Sequence, residues 1–407
     1  MNNQKTGFSR RKFLAASAAG LASASLATLA PGIGRAQETG SASAAEGKPI
    51  TRRLGKTDIE TSVISMGAGA CNDPSVIQAA FELGIRHFDT AGNYQYGANE
   101  QMVGRAIQKM GVRDQAIIAT KIYTPQQRRD YTEAQAKKKL VQLVDGSLKR
   151  LKTEYLDILY LHDVAGGEST NDPVTMAAMA QIKQSGKTRY VGVSTHTNMA
   201  DVLNAVADGG FWDVVLTAVN FTMADDTSLV AALARAAKSG VGIVGMKVMA
   251  GGSNWPNPET RRTYSADVIA RACLKWVLRT EHVHTVIPGF NSFDHMQQNY
   301  AVGSNLDLSD QEGRFLSDNA IKLGMEFCRQ CRKCLASCPG GAEIPTLMRT
   351  HMYLAQYGVL HMARAAMDEI PAGRGITACA DCTTCTARCA NSVNIGRRID
   401  ELRLLYA

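Results

Sequence analysis

The sequence predicts an α/β fold: a barrel of eight strand–helix units, followed by a second, smaller and mainly helical unit. Two observations lead to this prediction. Short apolar runs alternate with longer segments of helical periodicity between residues 50 and 305, and eight of the ten cysteines lie after residue 327. The 407 residues also exceed what one hydrophobic core usually organises. We therefore expect two folded units, residues 50–305 and residues 306–407.

The amino terminus has the pattern of an export signal. Arg10 and Arg11 precede a weakly apolar run rich in Ala and Ser, residues 13–30, and residues 34–36 (Gly-Arg-Ala) form an acceptable cleavage site. The pattern resembles a twin-arginine signal, which implies that residues 1–36 are removed and that the mature protein is periplasmic or otherwise extracytoplasmic. A membrane anchor is the alternative, but the run is barely long enough to span a bilayer. We expect no integral membrane span in the mature chain.

The net charge of +8 raises the question of a nucleic-acid partner. Part of the basic excess belongs to the signal segment, at Lys5, Arg10, Arg11, Lys12 and Arg35. We therefore expect no nucleic-acid partner. Residues 37–49, which follow the signal, are rich in Gly, Ser, Ala and Glu and lack apolar periodicity, so they predict a flexible linker.

The barrel is predicted from the order of its elements. Strand-like runs lie at residues 63–66, 86–88, 116–119, 158–161, 190–193, 214–219, 241–246 and 285–287. Helical periodicity fills the intervals, at residues 99–110, 132–151, 174–185, 199–207, 228–239 and 266–278. Strict alternation implies a parallel sheet whose strands are buried on both faces. Eight such units without a GxGxxG fingerprint favour a (β/α)8 TIM barrel over an open doubly wound sheet, with residues 52–64 as a hairpin closing its bottom.

Polar residues stand at the carboxyl ends of three predicted strands, where barrel enzymes place their chemistry. Asp89 and Tyr94 follow the second strand, Lys121 follows the third and His162 ends the fourth. This part of the sequence resembles the aldo-keto reductase family, in which an Asp, a Tyr five residues later, a Lys and a His form a catalytic tetrad at these positions. The resemblance covers residues 52–300 and implies interconversion of a carbonyl compound and its alcohol.

The chemistry accounts for the four residue types. Hydride delivery to a carbonyl builds an alkoxide, and a phenol supplies the proton when a neighbouring cation lowers its pKa. Tyr94 is the expected proton donor, Lys121 the cation, and Asp89 the partner that holds Lys121. His162 would orient the carbonyl oxygen or share in the proton transfer. Tyr96, two residues after Tyr94, is the rival phenol.

The resemblance also implies a nicotinamide cofactor, NAD(P)(H). Six residues are candidates for contacts with it, from its carboxamide to its adenine end: Ser194, Asn220, Lys247, Gly251, Gly289 and Asn299. Among them, Lys247 and Gly251 would serve the pyrophosphate through charge and close backbone approach.

The sequence departs from the family pattern at several cofactor positions. Thr195, Leu216 and Met246 stand where an Asn, a Gln and a Tyr are common. Gly289 and His295 occupy positions that are often Lys and Arg in NADPH-preferring members, so a basic pair for the 2′-phosphate is missing. The choice between NADH and NADPH is therefore left open.

The second unit carries one cysteine pattern, C-x2-C-x2-C-x3-C, twice. The first copy is Cys328, Cys331, Cys334 and Cys338, and the second is Cys379, Cys382, Cys385 and Cys389. Three thiolates at this spacing converge on three irons of one cube, and the fourth suits the other cluster of a two-cluster ferredoxin. The pattern predicts two 4Fe-4S clusters, with Cys338 joining the second and Cys389 joining the first.

Structural zinc and disulfides are the alternatives for these cysteines, and neither explains three cysteines at this spacing twice. The segment between the motifs has helical character at residues 345–357 and 359–368, and residues 308–324 precede the motifs with helical periodicity. The unit therefore resembles an α-helical ferredoxin. Cys71 and Cys273 lie outside both motifs and are expected to be packed small residues.

Joining the two units raises a problem of electron number. A nicotinamide transfers a hydride, two electrons at once, whereas each cluster passes one electron. Either a flavin or another redox partner intervenes, or the clusters are structural. We expect an exported oxidoreductase acting on a small-molecule carbonyl or alcohol substrate, with its clusters linked to a redox partner protein. The alternative is an iron–sulfur electron carrier whose barrel is a non-catalytic binding scaffold.

Overall fold

The computed structural model describes residues 48–123, 132–251, 258–290 and 292–406. Residues Ala45–Ala407 form one compact unit. The predicted signal, residues 1–36, and the predicted linker as far as residue 47 lie outside the described residues. Within the described ranges, no helix combines the length and the apolar character needed to cross a membrane.

Eight parallel strands form a barrel, which confirms the predicted fold class. Within the described ranges the strands, β1 to β10 in chain order, are Thr51–Arg53, Glu60–Ser62, Met66–Gly67, His87–Asp89, Ile117–Ile122, Leu156–Leu161, Thr188–Thr195, Val214–Ala218, Gly242–Met246 and Thr285–Val286. Strands β3 to β10 follow one another in the sheet in chain order. Backbone bonds across the seam close it: the amide of Ser65 donates to Val286 O (2.9 Å) and that of Gly67 donates to Pro288 O (2.9 Å).

The antiparallel pair β1 and β2 forms the predicted hairpin, with Thr51 opposite Ser62. Leu54 and Ile59 from this hairpin are buried against apolar side chains inside the barrel, Val214 and Val244 among them. Gly55 turns the hairpin at a positive φ of 58°, and a Cβ at this position would lie 2.3 Å from the backbone nitrogen of Gly242. The hairpin therefore plugs the amino-terminal end of the barrel and leaves the opposite end for chemistry.

Helices surround the barrel, and the bounds of the six predicted ones are shifted by at most two residues. The helices of this part are Pro74–Leu83, Ala98–Met110, Glu133–Leu151, Gly167–Thr170, Pro173–Gln184, Met199–Gly209, Thr227–Lys238, Pro258–Thr263, Ala266–Leu278 and Phe293–Val302. Their ends follow from side-chain capping. Before helix Glu133–Leu151, for example, Thr132 and Gln135 each bond the other's backbone amide, which satisfies two donors that the helix leaves free.

The part of the chain after residue 305, called the helical unit below, carries the cysteine motifs. Its helices are Asp310–Ser317, Asn319–Gly324, Ile344–His351, Leu360–Asp368 and Ile395–Tyr406, with a π-helical turn at Met352–Gln356. The predicted helix over residues 308–324 is interrupted at Asp318, whose backbone is extended and whose side chain accepts from the amide of Ala320 (2.8 Å). Residues 344–369, called the roof below, lie across the carboxyl-terminal mouth of the barrel, with His361 Nε2 2.9 Å from Gly69 O.

Substitution of two helix glycines by alanine should change the stability of the protein in opposite directions. A Cβ on Gly104 would lie 2.4 Å from Leu151 O, whereas one on Gly313 meets nothing within 4 Å. Gly104→Ala should lower the free energy of unfolding by about 1–3 kcal/mol through overpacking. Gly313→Ala, within a helix, should raise it by about 0.5–1 kcal/mol. Urea unfolding followed by circular dichroism checks both, and a change of the same sign in the two variants would contradict this packing.

Candidate active site and cluster sites

The structure brings Asp89, Tyr94, Lys121 and His162 together at the mouth of the barrel. Lys121 Nζ donates to Asp89 Oδ1 and to Thr90 O (2.7 Å). The same nitrogen lies 5.0 Å from the centre of the Tyr94 ring. The rings of Tyr94 and His162 meet edge to face, with their centres 6.2 Å apart. Three separate strand ends therefore deliver a cation, a carboxylate, a phenol and an imidazole to one place.

Burial decides the protonation of this cluster. It raises the pKa of the Tyr94 phenol, and the negative charge of Asp89 raises it further. Burial lowers the pKa of Lys121, an effect that Asp89 opposes. The pKa of His162 falls well below its usual value because of burial and the nearby Lys121 charge. The phenol is therefore protonated and the imidazole neutral near pH 7.

Tyr123 supports His162 from the side. Its ring stacks on the imidazole with centres 4.4 Å apart and planes 27° apart. Its hydroxyl donates to Glu369 Oε1 (2.7 Å) and accepts from Asn93 Nδ2 (3.3 Å). Because Glu369 belongs to the roof, the helical unit contacts the candidate catalytic cluster through one intermediate side chain.

Arg349, on roof helix Ile344–His351, lies between the roof and the barrel mouth and is 5% exposed. Its Nη1 donates to Asp163 Oδ2 (2.8 Å) and lies 2.9 Å from His196 Nδ1, while its Nη2 donates to Glu369. Burial lowers the pKa of His196 to about 4, so this ring is neutral near pH 7. One guanidinium therefore bonds two carboxylates, one from the barrel and one from the far end of the roof.

A second cation of the mouth is also covered by the roof. Lys247 Nζ lies 4.0 Å from the centre of the Tyr353 ring and donates to its hydroxyl. Beside it, a Cβ on Gly251 would lie 2.7 Å from Oε1 of the roof residue Gln356. Burial, together with the positive charge of Arg349, keeps the pKa of Lys247 well below its usual value.

The other predicted cofactor contacts have protein partners or lie at the seam. Ser194 Oγ accepts from the amide of Asp163 (3.0 Å). Asn220 accepts from the amide of Thr222 (3.2 Å) and donates to Lys247 O (3.2 Å). Gly289 is exposed and pairs with Gly67 where the barrel closes. Asn299 is buried within helix Phe293–Val302.

The cavity between the catalytic cluster and the roof is small, about 40 Å³. Tyr94, Lys121 and His162 line one part of it, and Arg349 and Glu369 are among the roof residues that line the other. A cavity needs only about 10–15 Å³ by this measure to hold one water molecule, whereas ligand pockets usually measure about 300–1,000 Å³. With the roof in this position the mouth has no room for a dinucleotide, although polar residues that could face one are present beneath it.

Cysteines from the two motifs lie close to each other in the structure. Asn391 joins Cys331 to Cys389: its backbone amide donates to Cys389 Sγ (3.3 Å) and its side chain to Cys331 Sγ (3.8 Å). A second group of cysteines lines one cavity of about 370 Å³: Cys338, Cys379, Cys382 and Cys385. We call Cys328, Cys331, Cys334 and Cys389 the first set, and the four cysteines that line this cavity the second set.

These sets suit a group larger than one metal ion. Among the described residues, no three His, Cys, Asp or Glu side chains come close enough together to hold a single ion. All ten cysteines are free thiols, so no disulfide competes for them. Amide groups also donate to the sulfurs, as Gln330 Nε2 does to Cys328 Sγ (3.3 Å), and such bonds tune cluster potentials.

The two sets differ in their surroundings. A cavity of about 20 Å³ has Cys328 in one wall and His196, Lys247 and Arg349 in others, so the first set adjoins the residues that cover the mouth. The second set opens toward solvent, where Thr383 and Thr384 beside it are exposed. One cysteine set thus lies against the barrel and the other lies near the surface.

Sequence reasoning did not identify Tyr123, Asp163, His196, Arg349 or Glu369. The first three follow strand ends within two residues of Lys121, His162 or Ser194, so the rule that found those residues applies to them as well. Arg349 and Glu369 had no such signal, because they lie in helices whose packing partner is a distant part of the chain.

Comparisons with known proteins agree with this division. Residues 73–264 match the aldo/keto reductase family, and residues 316–394 match the 4Fe-4S dicluster domain. The L-galactose dehydrogenase of Arabidopsis thaliana is 28% identical over 301 residues, 66% of this chain and 92% of that protein. The L-glyceraldehyde 3-phosphate reductase of Escherichia coli is 35% identical over 158 residues, 36% of this chain but 45% of that protein.

Solved structures show the same likeness. The holo form of an aldo-keto reductase from Bacillus halodurans is 25% identical, with a TM-score of 0.52, and the match covers 66% of this chain and 95% of that one. An aldo-keto reductase from Klebsiella pneumoniae in complex with NADPH, 23% identical with a TM-score of 0.52, shares the fold over 66% of this chain and 94% of its own.

The crossed cysteine sets predict which paired substitutions damage one cluster and which damage two. Cys331→Ser with Cys389→Ser removes two ligands of the first set and should leave about half of the iron. Cys331→Ser with Cys338→Ser removes one ligand from each set and should disturb both clusters. Iron analysis and electron paramagnetic resonance of the reduced proteins check this. The reverse pattern would mean that each motif binds its own cluster.

Proposed function

We propose, from the premise that this chain is an oxidoreductase with an aldo/keto reductase domain and a 4Fe-4S dicluster domain, that it interconverts a small carbonyl compound and its alcohol. The observation that carries the proposal is the cluster of Tyr94, Lys121, Asp89 and His162 at the barrel mouth, with a protonated phenol beside a lysine. A phenol in this setting can give a proton to an oxygen as negative charge develops on it.

Each residue of the cluster has a role in this reaction. The substrate oxygen would lie between the Tyr94 hydroxyl and His162, whose neutral ring can donate a hydrogen bond to it. Tyr94 gives up its proton, and the positive charge of Lys121 stabilises the phenolate that remains. Asp89 and Thr90 O hold Lys121 in place. Alcohol oxidation would use the same proton path in reverse.

A nicotinamide is the proposed hydride source, and the NADPH-bound relative from Klebsiella pneumoniae supports the choice. When bound, it supplies the two electrons and one hydrogen that the carbonyl carbon gains. Ser194, Asn220 and Lys247 are the groups of this chain that would hold it at the mouth. Tyr353 and Gln356 of the roof adjoin Lys247 and Gly251, so these residues must move away first.

The clusters are proposed to carry electrons between the barrel and a redox partner protein. The first set adjoins the mouth through Arg349 and His196, and the second set faces solvent, where a partner can approach. Since a hydride carries two electrons and each cluster passes one at a time, a flavin or another redox partner must split the pair if the clusters are to take part in turnover. Export by the twin-arginine route stays a prediction of the amino-terminal sequence.

One observation favours a second candidate function, an electron carrier with a non-catalytic barrel. The roof leaves only about 40 Å³ above the catalytic cluster. A carrier needs no access to this space, whereas a reductase does. The two candidates differ in whether Tyr94 is required for any measurable turnover.

Tyr94→Phe tests the proposed proton donor. The rate of carbonyl reduction, measured as kcat/KM with small aldehydes and ketones, should fall by roughly 10²–10⁴-fold because the phenol is lost. The iron–sulfur absorbance should stay unchanged. Tyr96→Phe is the matched control, since Tyr96 is the other phenol of this loop and is 79% exposed. Unchanged turnover in Tyr94→Phe would refute the proton donor, and no turnover in the unaltered protein would favour the carrier.

The pH profile tests the proposed charges. Tyr94 has a raised pKa and stays protonated, while Lys121 has a lowered pKa and loses its charge as the pH rises. Carbonyl reduction should therefore decline on the alkaline side only, at a pH below the ordinary lysine pKa of about 10.4. Because the pKa of His162 is depressed, kcat/KM should show no change near pH 6.5. A fall in kcat/KM as the pH rises through 6.5 would mean that His162 is charged in the working enzyme.

A further inference from the structure

We propose that Arg349 controls access to the carbonyl site: its bonds to Asp163 and Glu369 hold the roof over the mouth, and ligands enter only when these bonds open. The inference rests on the proposed function and adds to it a residue of the helical unit. Arg349 is not one of the four residues of the catalytic cluster. It belongs to the helical unit and reaches the barrel residue Asp163, which lies 186 positions away in the chain.

The position of Arg349 supports this role. Its helix, Ile344–His351, begins the roof, and Glu369 ends it, so one guanidinium fastens both ends of the roof to each other and to Asp163 in the barrel. Between these ends the backbone is irregular: a π-helical turn occupies Met352–Gln356, and Gly358 has a positive φ of 67°. The roof is therefore two short helices held at their ends, not one rigid rod.

Closure covers three parts of the proposed ligand site together. Tyr94 faces a cavity of about 40 Å³, far below the roughly 300–1,000 Å³ of a usual ligand pocket and too small for a nicotinamide. Lys247 bonds to Tyr353, and Gly251 lies against Gln356. Tyr353 and Gln356 belong to the roof. Outward movement of the roof would therefore uncover Tyr94, Lys247 and Gly251 in one step.

The ion pairs are suited to opening. A buried ion pair gives little net stability, because the loss of hydration offsets most of the attraction between the charges. Asp163 and Glu369 keep 17% and 20% of their side-chain surface exposed, so water reaches both as soon as the roof lifts. The bonds of Arg349 therefore fix the closed geometry, and hydration of the charges offsets much of the attraction that is lost when the roof opens.

The arrangement has a thermodynamic consequence that a simple binding residue would not have. If only the open form binds nicotinamide, the apparent dissociation constant equals the intrinsic one divided by the open fraction. Weakening the bonds of Arg349 raises the open fraction and should make nicotinamide bind more tightly. An arginine that contacted the cofactor directly would show the opposite change.

Two conservative variants test the proposal. Glu369→Gln keeps an acceptor for the Tyr123 hydroxyl but removes one charge that Arg349 holds, and Arg349→Lys keeps the charge but replaces the forked guanidinium with a single ammonium nitrogen. Both should speed amide hydrogen exchange across residues 344–369, and both should lower the apparent dissociation constants of NADH and NADPH, by roughly fivefold or more. Iron–sulfur absorbance reports that the clusters stay intact.

Asp225→Asn is the matched control. Asp225 pairs with Arg329 (2.7 Å), so it also joins the barrel to the helical unit, but it is 76% exposed and lies outside the roof. It should change neither roof exchange nor nicotinamide affinity. Slower or unchanged exchange in both Arg349 and Glu369 variants, or weaker nicotinamide binding, would overturn the proposal. Turnover that survives Tyr94→Phe while the exchange result holds would refute the proposed function and leave the role of Arg349 standing.

Discussion

The packing of the helical unit on the barrel depends on one buried guanidinium. Arg349 carries a full charge at any ordinary pH, since Glu369 and Asp163 raise its pKa well above the usual value despite its burial. Removing a single partner of such a group leaves an uncompensated charge, which typically destabilises by about 3–5 kcal/mol. Three cations at this interface, Arg349, Lys247 and Lys121, face three carboxylates, Asp163, Glu369 and Asp89. Because these opposite charges pair with one another, the roof can pack on the barrel mouth through charged side chains instead of apolar ones.

The same charges act on the phenol. Asp89 and Glu369 raise the pKa of Tyr94, whereas Arg349 lowers it. Burial is the largest cause of the raised pKa of Tyr94, and Glu369 and Arg349 act on it in opposite directions. Lifting the roof would take both charges away together and let water reach the phenol, which would lower its pKa toward the ordinary value. On this reasoning, access and acidity change in the same movement.

Features that depend on residues close together in the sequence could be predicted from it, whereas contacts between distant parts of the chain could not. The alternation of strands and helices is a local property, and the cysteine motifs repeat within short segments, so the barrel and the 4Fe-4S dicluster domain were predictable. Asp89 and Lys121 were predictable because parallel strands end at the same edge. The barrel seam was placed less well: strand β3 is Met66–Gly67 instead of residues 63–66, because residues before it bond across the closure.

The roof could not be predicted, for a different physical reason. Its helices have ordinary amphipathic patterns, and nothing in the sequence says that the covered surface is the mouth of the barrel and not another face. The pairing of Arg349 with Asp163 spans 186 residues and depends on where the helical unit docks. An arginine and a glutamate in a segment between cysteine motifs become informative only once the partner surface is known.

Closure also bears on how electrons could reach the barrel. Cys328 of the first set and Arg349 of the roof line the same small cavity, so the closed form keeps the first set next to the mouth. A ligand needs the open form, which moves the roof away from Tyr94. If the clusters and the barrel exchange electrons as proposed, the closed form, in which Arg349 lies between Cys328 and the mouth, and the open form, which admits ligand, serve different steps. The bonds of Arg349 set the balance between these two states, so a cluster domain fused to the mouth of the barrel does more than supply an electron path.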